Sequence, residues 1–258
     1  MTLLLVALGA MAGGVGALVG IGGGIVITPV LAMYFGLPMH HAIGTSLLAV
    51  ITTSTATSSV YLERHVTDVR LGMTLELATT VGAAAAAVIA GYLDRRALAV
   101  MFILLLVYSA GSLVRRAWKG RNEQPQAEIP AYQVRRYGLG LGASLVAGGF
   151  SGLLGIGGGP IKVPVMYLFM GVPLRVATAT SNFMIGVTAA TSAYIYYGRG
   201  DVNLAAAAPL VAGVFLGSIT GARLAPRVRS SYVLFLLIGV TLFLAFQMAM
   251  KLAEGKLG

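Results

Sequence analysis

Long apolar runs alternate with short polar breaks along the whole chain. The first run covers about residues 2–21, and after three glycines a shorter piece extends from Ile25 to Gly36. A helix needs about 20 apolar residues to cross a bilayer, so the shorter piece predicts a half-helix or re-entrant segment. Gly36-Leu37-Pro38 ends it with turn chemistry. Spans are expected at 41–61, about 72–93 and 97–114, separated by the polar connector from Glu63 to Arg70 and by the turn Asp94-Arg95-Arg96. The order then repeats. A Gly-rich run occupies 137–155, a short piece extends from Ile161 to Gly171, and spans follow at about 174–197, 204–222 and 231–250.

The repetition is written most plainly by Gly20-Ile21-Gly22-Gly23-Gly24, which returns as Gly155-Ile156-Gly157-Gly158-Gly159. Pro29 and Pro164 follow at matching positions, Gly171-Val172-Pro173 mirrors Gly36-Leu37-Pro38, and Arg199 mirrors Arg64. From Gly13 to Arg64 the two halves align without a gap, with about a third of positions identical. Shared composition does not produce such an ordered series, and duplication does. Three glycines in a row tolerate unusual dihedrals and interrupt a helix. In a lipid-embedded segment that interruption is tolerable only where protein or a water-filled cavity surrounds it.

These patterns predict an all-α polytopic membrane protein. Two pseudo-symmetric halves carry broken or re-entrant helices that meet at the membrane centre. Residues 1–114 form the first membrane repeat, 115–136 a basic linker with Pro125 and Pro130, and 137–258 the second repeat. The Lys/Arg excess of the linker predicts a cytoplasmic location. Parallel and inverted repeats both remain open, because Arg95/Arg96 and Arg223/Arg227/Arg229 put positive charge at both kinds of turn.

Composition agrees. The 258 residues are 57% hydrophobic and 10% charged, with mean hydropathy +0.87, whereas soluble domains carry about 25% charged residues. No Lys or Arg precedes Arg64, so the first run lacks the basic region of a secretory signal and reads as a membrane helix. The absence of cysteine excludes disulfides, thiolate metal sites and Cys nucleophiles. The net charge of +10 has two accounts, the positive-inside bias of loops and a field that draws anions. No nucleic-acid partner and no cofactor are expected. GxxxG spacings at Gly9/Gly13, Gly16/Gly20, Gly138/Gly142 and Gly148/Gly152 permit close helix contact, within one chain or in a homodimer.

Candidate chemistry gathers at the breaks. A half-helix that starts at Gly22, Gly23 and Gly24, or at Gly157, Gly158 and Gly159, exposes unpaired N–H groups with partial positive charge. That suits an anion, although glycines also simply let helices cross. Thr45-Ser46 and Thr180-Ser181-Asn182 begin the following spans. Their hydroxyls and amide can replace water around an oxyanion, or can bond between helices. Lys162, deep in an apolar run, is either an anion-site charge or a lysine snorkelling to an interface. Its counterpart is Ile27. Glu76 is the acidic residue well inside a span, able to relay a proton or to pair with a buried cation, or else an interfacial, solvated carboxylate near the connector that ends at Arg70. No metal-ligand spacing, nucleophile elbow or P-loop occurs, so no catalytic residue and no metal site is expected.

The duplicated GIGGG, its following proline, the Gly-x-Pro turn and the Thr-Ser pair resemble the TauE/SafE family of sulfite-exporter-like permeases. The resemblance spans nearly the whole chain. It implies a bacterial inner-membrane transporter of small sulfur-containing anions such as sulfite, sulfoacetate or other organosulfonates. An anion channel or a non-transporting membrane scaffold is the alternative.

Overall fold

A computed structural model describes residues 1–120, 132–225, 228 and 230–255. The middle of the linker, with Pro125 and Pro130, and the turn residues Arg227 and Arg229 lie outside the described residues. Ten α-helices and no strand occur among the described residues. The first half contains α1 (Thr2–Val19), α2 (Gly24–Tyr34), α3 (Met39–Glu63), α4 (Val69–Ala90) and α5 (Arg95–Gly120). The second contains α6 (Tyr137–Leu154), α7 (Gly159–Leu168), α8 (Leu174–Gly198), α9 (Leu204–Leu224) and α10 (Ser230–Ala253).

The helix ends have local causes. Pro38 and Pro173 precede α3 and α8. Asp68 and Asn203, equivalent in the two halves, cap α4 and α9 by accepting from Leu71 N–H at 2.9 Å and Ala206 N–H at 3.0 Å. One boundary differs from expectation. The polar segment that should begin at residue 115 stays helical to Gly120, because Arg, Ala and Lys are good helix formers whether or not lipid surrounds them.

Among the described residues, six helices are long and apolar enough to cross a membrane: α1, α4, α5, α6, α9 and α10. The 25-residue helices α3 and α8 carry too many hydroxyls for that description, yet they occupy the centre. Their polarity is largely returned to the helix backbone. Thr53 donates to Ala49 O at 3.0 Å, Thr57 to Thr53 O at 2.7 Å, and Ser192 to Thr188 O at 3.1 Å.

Glycines set the closest helix contacts. Gly9 and Gly13 of α1 face Leu210 and Val214 of α9, and numbering rises together, so the two helices are parallel. Gly148 and Gly152 of α6 face Thr79 and Ala83 of α4 in the same sense. These GxxxG spacings therefore serve packing within the chain, whereas Gly138 and Gly142 face open space.

α3 crosses α8 in the opposite sense. Ser54 bonds to the Asn182 carbonyl, while the equivalent pair Val50 and Ile185 sits at the crossing. Equivalent helices that cross antiparallel are related by a twofold axis perpendicular to them. In a membrane that these helices cross, that axis lies in the membrane plane, and the repeats are inverted. α1 rises and α2 returns to the starting face; α3, α4 and α5 then add three crossings and carry the chain across. Arg64, Arg70, Arg135, Arg136, Arg175 and Arg223 thus share the linker face, and Arg95, Arg96, Arg199 and Lys251 the other.

Candidate functional site

The two glycine breaks press against each other inside the protein. Gly20, Gly22 and Gly23 have φ of 80°, 80° and 75°, and Gly155, Gly157 and Gly158 have 70°, 79° and 75°. A side chain in this left-handed region costs about 1–2 kcal/mol per residue, so the motif needs glycine conformationally. It needs glycine sterically as well. A Cβ added at Gly24 would lie 2.5 Å from the Gly155 carbonyl oxygen, and one at Gly159 would overlap the Gly20 carbonyl. Each break is thus walled by the other.

The N–H groups of Gly22, Gly23, Gly24 and Ile25 have no hydrogen-bond acceptor among the described residues. The same holds for Gly157, Gly158 and Gly159. They open α2 and α7, where helix dipoles place partial positive charge. Both motifs are buried.

The duplicated hydroxyls cross between halves. Ser181 Oγ donates to Gly20 O at 3.1 Å, and Ser46 Oγ shares its proton between Ile43 O at 2.8 Å and Gly155 O at 3.1 Å. Thr28 donates to Ser46 at 2.8 Å. Thr45 accepts from Asn203 N–H and Thr180 from Asp68 N–H, both at 3.0 Å. Asn182 donates to Ala17 O at 3.1 Å, leaving its buried amide oxygen unpartnered. Thus Ser46 and Ser181 stand beside the breaks and Asn182 beside the last turn of α1, whereas Thr45 and Thr180 turn to the N-cap residues of α9 and α4. The carbonyls that a left-handed helix end frees require partners such as the two serines.

Two residues at the crossing gave no signal in the sequence. A Cβ added at Gly22 would lie 3.2 Å from Ile185 Cγ2 and 3.3 Å from Val50 Cγ1, and one at Gly157 would meet the same two side chains. Val50 and Ile185, fully buried equivalents, therefore fill the space between the breaks. Only their position 135 residues apart in the duplication could have marked them.

Beside the second break lies a charged cluster. Lys162 is 2% exposed and Glu76 5% exposed, and Lys162 Nζ lies 3.0 Å from Glu76 Oε2. Nζ also donates to Thr188 Oγ1 at 3.2 Å. Thr188 and Thr80 donate to Glu76 Oε1. Lys162 does not snorkel; its ammonium stays inside and pairs. The Lys162 Cε lies 3.4 Å from where a Cβ of Gly158 would stand, which brings the lysine stem against the break. Among the described residues, no cluster of His, Asp and Glu could hold a metal ion.

Nearer the linker face, Tyr132 Oη donates to Asp68 Oδ2 at 2.8 Å. Burial, the hydrogen bond to Asp68 and that carboxylate's charge push the Tyr132 phenol well above its ordinary value.

Comparison with known proteins follows the same outline. The profile of the family described as "Sulfite exporter TauE/SafE" matches residues 5–248. A "Probable membrane transporter protein YunE" from Bacillus subtilis (strain 168) is 30% identical, over 95% of this chain and 96% of that protein. A "Probable membrane transporter protein MJ0441" from Methanocaldococcus jannaschii is 24% identical, over 87% of this chain and 88% of its own length. "Sulfite exporter TauE/SafE family protein 6" from Arabidopsis thaliana is 32% identical over 39% of this chain and 24% of that protein. No solved structure matches.

Proposed function

The chain belongs to the sulfite exporter TauE/SafE family of membrane transporters, and from that membership we propose that it carries small sulfur-containing anions. Sulfite, sulfoacetate and other organosulfonates are the candidate substrates, bound where the two glycine breaks meet. The observation that carries this reading is the double set of unpaired N–H groups at Gly22–Ile25 and Gly157–Gly159. A sulfonate offers three oxygens that accept such bonds, and helix N-termini favour its charge. Buried backbone donors without partners are uncommon, and an oxyanion between them supplies acceptors to both halves.

Inverted repeats supply the movement. When two equivalent halves exchange conformations, a site between them faces first one side of the membrane and then the other. Val50 and Ile185 occupy the space between the breaks, so α3 and α8 separate as the anion enters. The excess of arginine at the linker face supports a cytoplasmic location for that face in a bacterial inner membrane.

The test is counterflow in proteoliposomes preloaded with sulfite, sulfoacetate or methanesulfonate. Saturable uptake of external label against the preload is the expected result. Single-channel current without saturation would identify a pore, and no movement of any of the three anions would leave a scaffold.

A further inference from the structure

Resting on the anion-transport reading, we infer that Glu76 is a tethered counter-anion for Lys162. A monovalent oxyanion takes its place on the ammonium as Glu76 takes up one proton. The pair would then couple anion movement to proton movement in the same direction.

The first ground is that the fold does not need the pair. The counterparts of Lys162 and Glu76 in the other half are Ile27 and Val211, and the counterpart of Thr188 is Thr53. That half builds the same break, half-helix and crossing with apolar residues at the two charged positions. Thr53 there bonds only along its own helix, to Ala49 O. A buried ion pair is weak evidence for stability, since desolvation offsets its attraction. Two charges confined to one half of a duplicated architecture call for another explanation.

The second ground is unused donor capacity. An ammonium has three N–H donors, and Lys162 Nζ has two partners, Glu76 and Thr188, among the described residues. One N–H in a fully enclosed site is without an acceptor. The lysine stem lies against Gly158, whose own N–H is among the unpaired groups of the break, so an oxyanion there is within reach of this ammonium.

The third ground is charge balance. At rest the carboxylate and ammonium sum to zero. An anion arriving alone would leave the buried site at minus one, which a low-dielectric interior disfavours. If one proton enters with it, an O–H bond forms on Glu76 and the ammonium pairs with the anion. The sum remains zero. Thr80 and Thr188 donate to the Glu76 carboxylate, and either hydroxyl can rotate to accept from a protonated Glu76.

Among the described residues, no second acidic group occurs on α5, α6, α7 or α8; α7 also carries Tyr167, and α5, which packs on α7, carries Arg95, Arg96, Tyr108 and Arg115. α7 presents Lys162 and α8 presents Thr188. The titratable residues of α8, Arg175, Tyr194, Tyr196 and Tyr197, lie at its ends, and the sole one of α6 is its first residue, Tyr137.

The experiment is calorimetric titration of purified protein with methanesulfonate, whose charge stays constant over the assay range. Buffers of different ionisation enthalpy report the protons taken up. Wild type should take up about one proton per anion, with affinity falling as pH rises. Glu76→Gln should bind with no proton uptake and with flat pH dependence, while Glu76→Asp should retain uptake. Lys162→Met should lose affinity roughly tenfold to hundredfold. Anion binding by wild type without proton uptake overturns the inference, and this arm needs no variant to fold. So does a Gln variant that keeps its uptake, or a Met variant with unchanged affinity. Failure of monodisperse wild type to bind methanesulfonate, sulfite or sulfoacetate would instead remove the anion reading on which the inference rests.

Discussion

The Ser46 hydroxyl reaches the carbonyl of Gly155, the residue that ends α6 in the opposite half, at 3.1 Å. Ser181 returns the bond to Gly20 at the same distance. Each half therefore satisfies the carbonyl that the other half's break sets free. Ser46→Ala and Ser181→Ala should each destabilise the protein by about 1–3 kcal/mol, because a buried acceptor loses its donor. Ser46→Ala also orphans the Thr28 hydroxyl, so it should be the more damaging. Thermal unfolding in detergent checks both values. A melting temperature unchanged in both variants would show that water or a shifted donor replaces the serines.

The glycines themselves are separable by position. Gly22→Ala and Gly157→Ala place a side chain at φ near 80° and against Val50 and Ile185. The backbone term alone is about 1–2 kcal/mol, and the contact adds to it. Transport should fall in both variants, with Gly157→Ala the more severe because its added Cβ meets Ile185 more closely. Gly138→Ala is the control, since nothing stands within 4 Å of that position. It should fold and transport as wild type in the same proteoliposome assay.

Arg64 and Arg199 form a second reciprocal pair. Arg64 donates to the Ala222 and Arg223 carbonyls at 3.3 and 3.4 Å, while Arg199 donates to the Ala87 carbonyl. Each arginine thus caps the C-terminus of an equivalent helix in the other half, where positive charge is favoured. Arg199 has more to lose. It also pairs with Asp201 at 2.9 Å and lies 4.2 Å over the Tyr196 ring. Arg199→Gln should lower stability by roughly 1 kcal/mol, and Arg64→Gln by less, given solvent exposure of both. Equal melting temperatures for the two variants would contradict this ranking.

Much of this architecture was legible in the residues because it was written twice. Triple glycines, following prolines and Gly-x-Pro turns have local physical consequences, so they located the breaks, the half-helices and the spans. Contacts between halves have no such local signature. Nothing near Lys162 in the sequence points to Glu76, 86 positions away, and the duplication offers no guide because the other half has Ile27 and Val211. The Ser46–Gly155 and Ser181–Gly20 bonds depend on how the halves meet. Val50 and Ile185 look like any aliphatic residues in an apolar helix. Inversion was hidden for a related reason. Arginines occur at both kinds of turn, and only the antiparallel crossing of α3 and α8 sorts them by face.

The segment leading into α6 packs over the end of α7. Arg135 N–H donates to Met170 O at 3.0 Å, and Tyr132 and Val134 pack on a buried cluster with Leu71, Met166 and Met170. The Tyr132–Asp68 hydrogen bond fastens this segment to the N-cap of α4. Tyr132→Phe keeps the ring and removes the donor. It should weaken the local closure by about 1 kcal/mol, the partial exposure of the pair reducing the usual value for a bond to a charged acceptor. The sign of the pH effect follows from the raised phenol. Its contribution is fully present below the ordinary tyrosine value of 10.0 and is lost as pH rises through the higher folded value. The difference between wild type and Tyr132→Phe should therefore stay constant from about pH 6 to pH 9, and shrink only at higher pH. Hydrogen exchange at the amides of 132–136 measures it. A difference that shrinks as pH rises from 6 to 9 would mean that the phenol ionises below its ordinary value, against the hydrogen bond seen here.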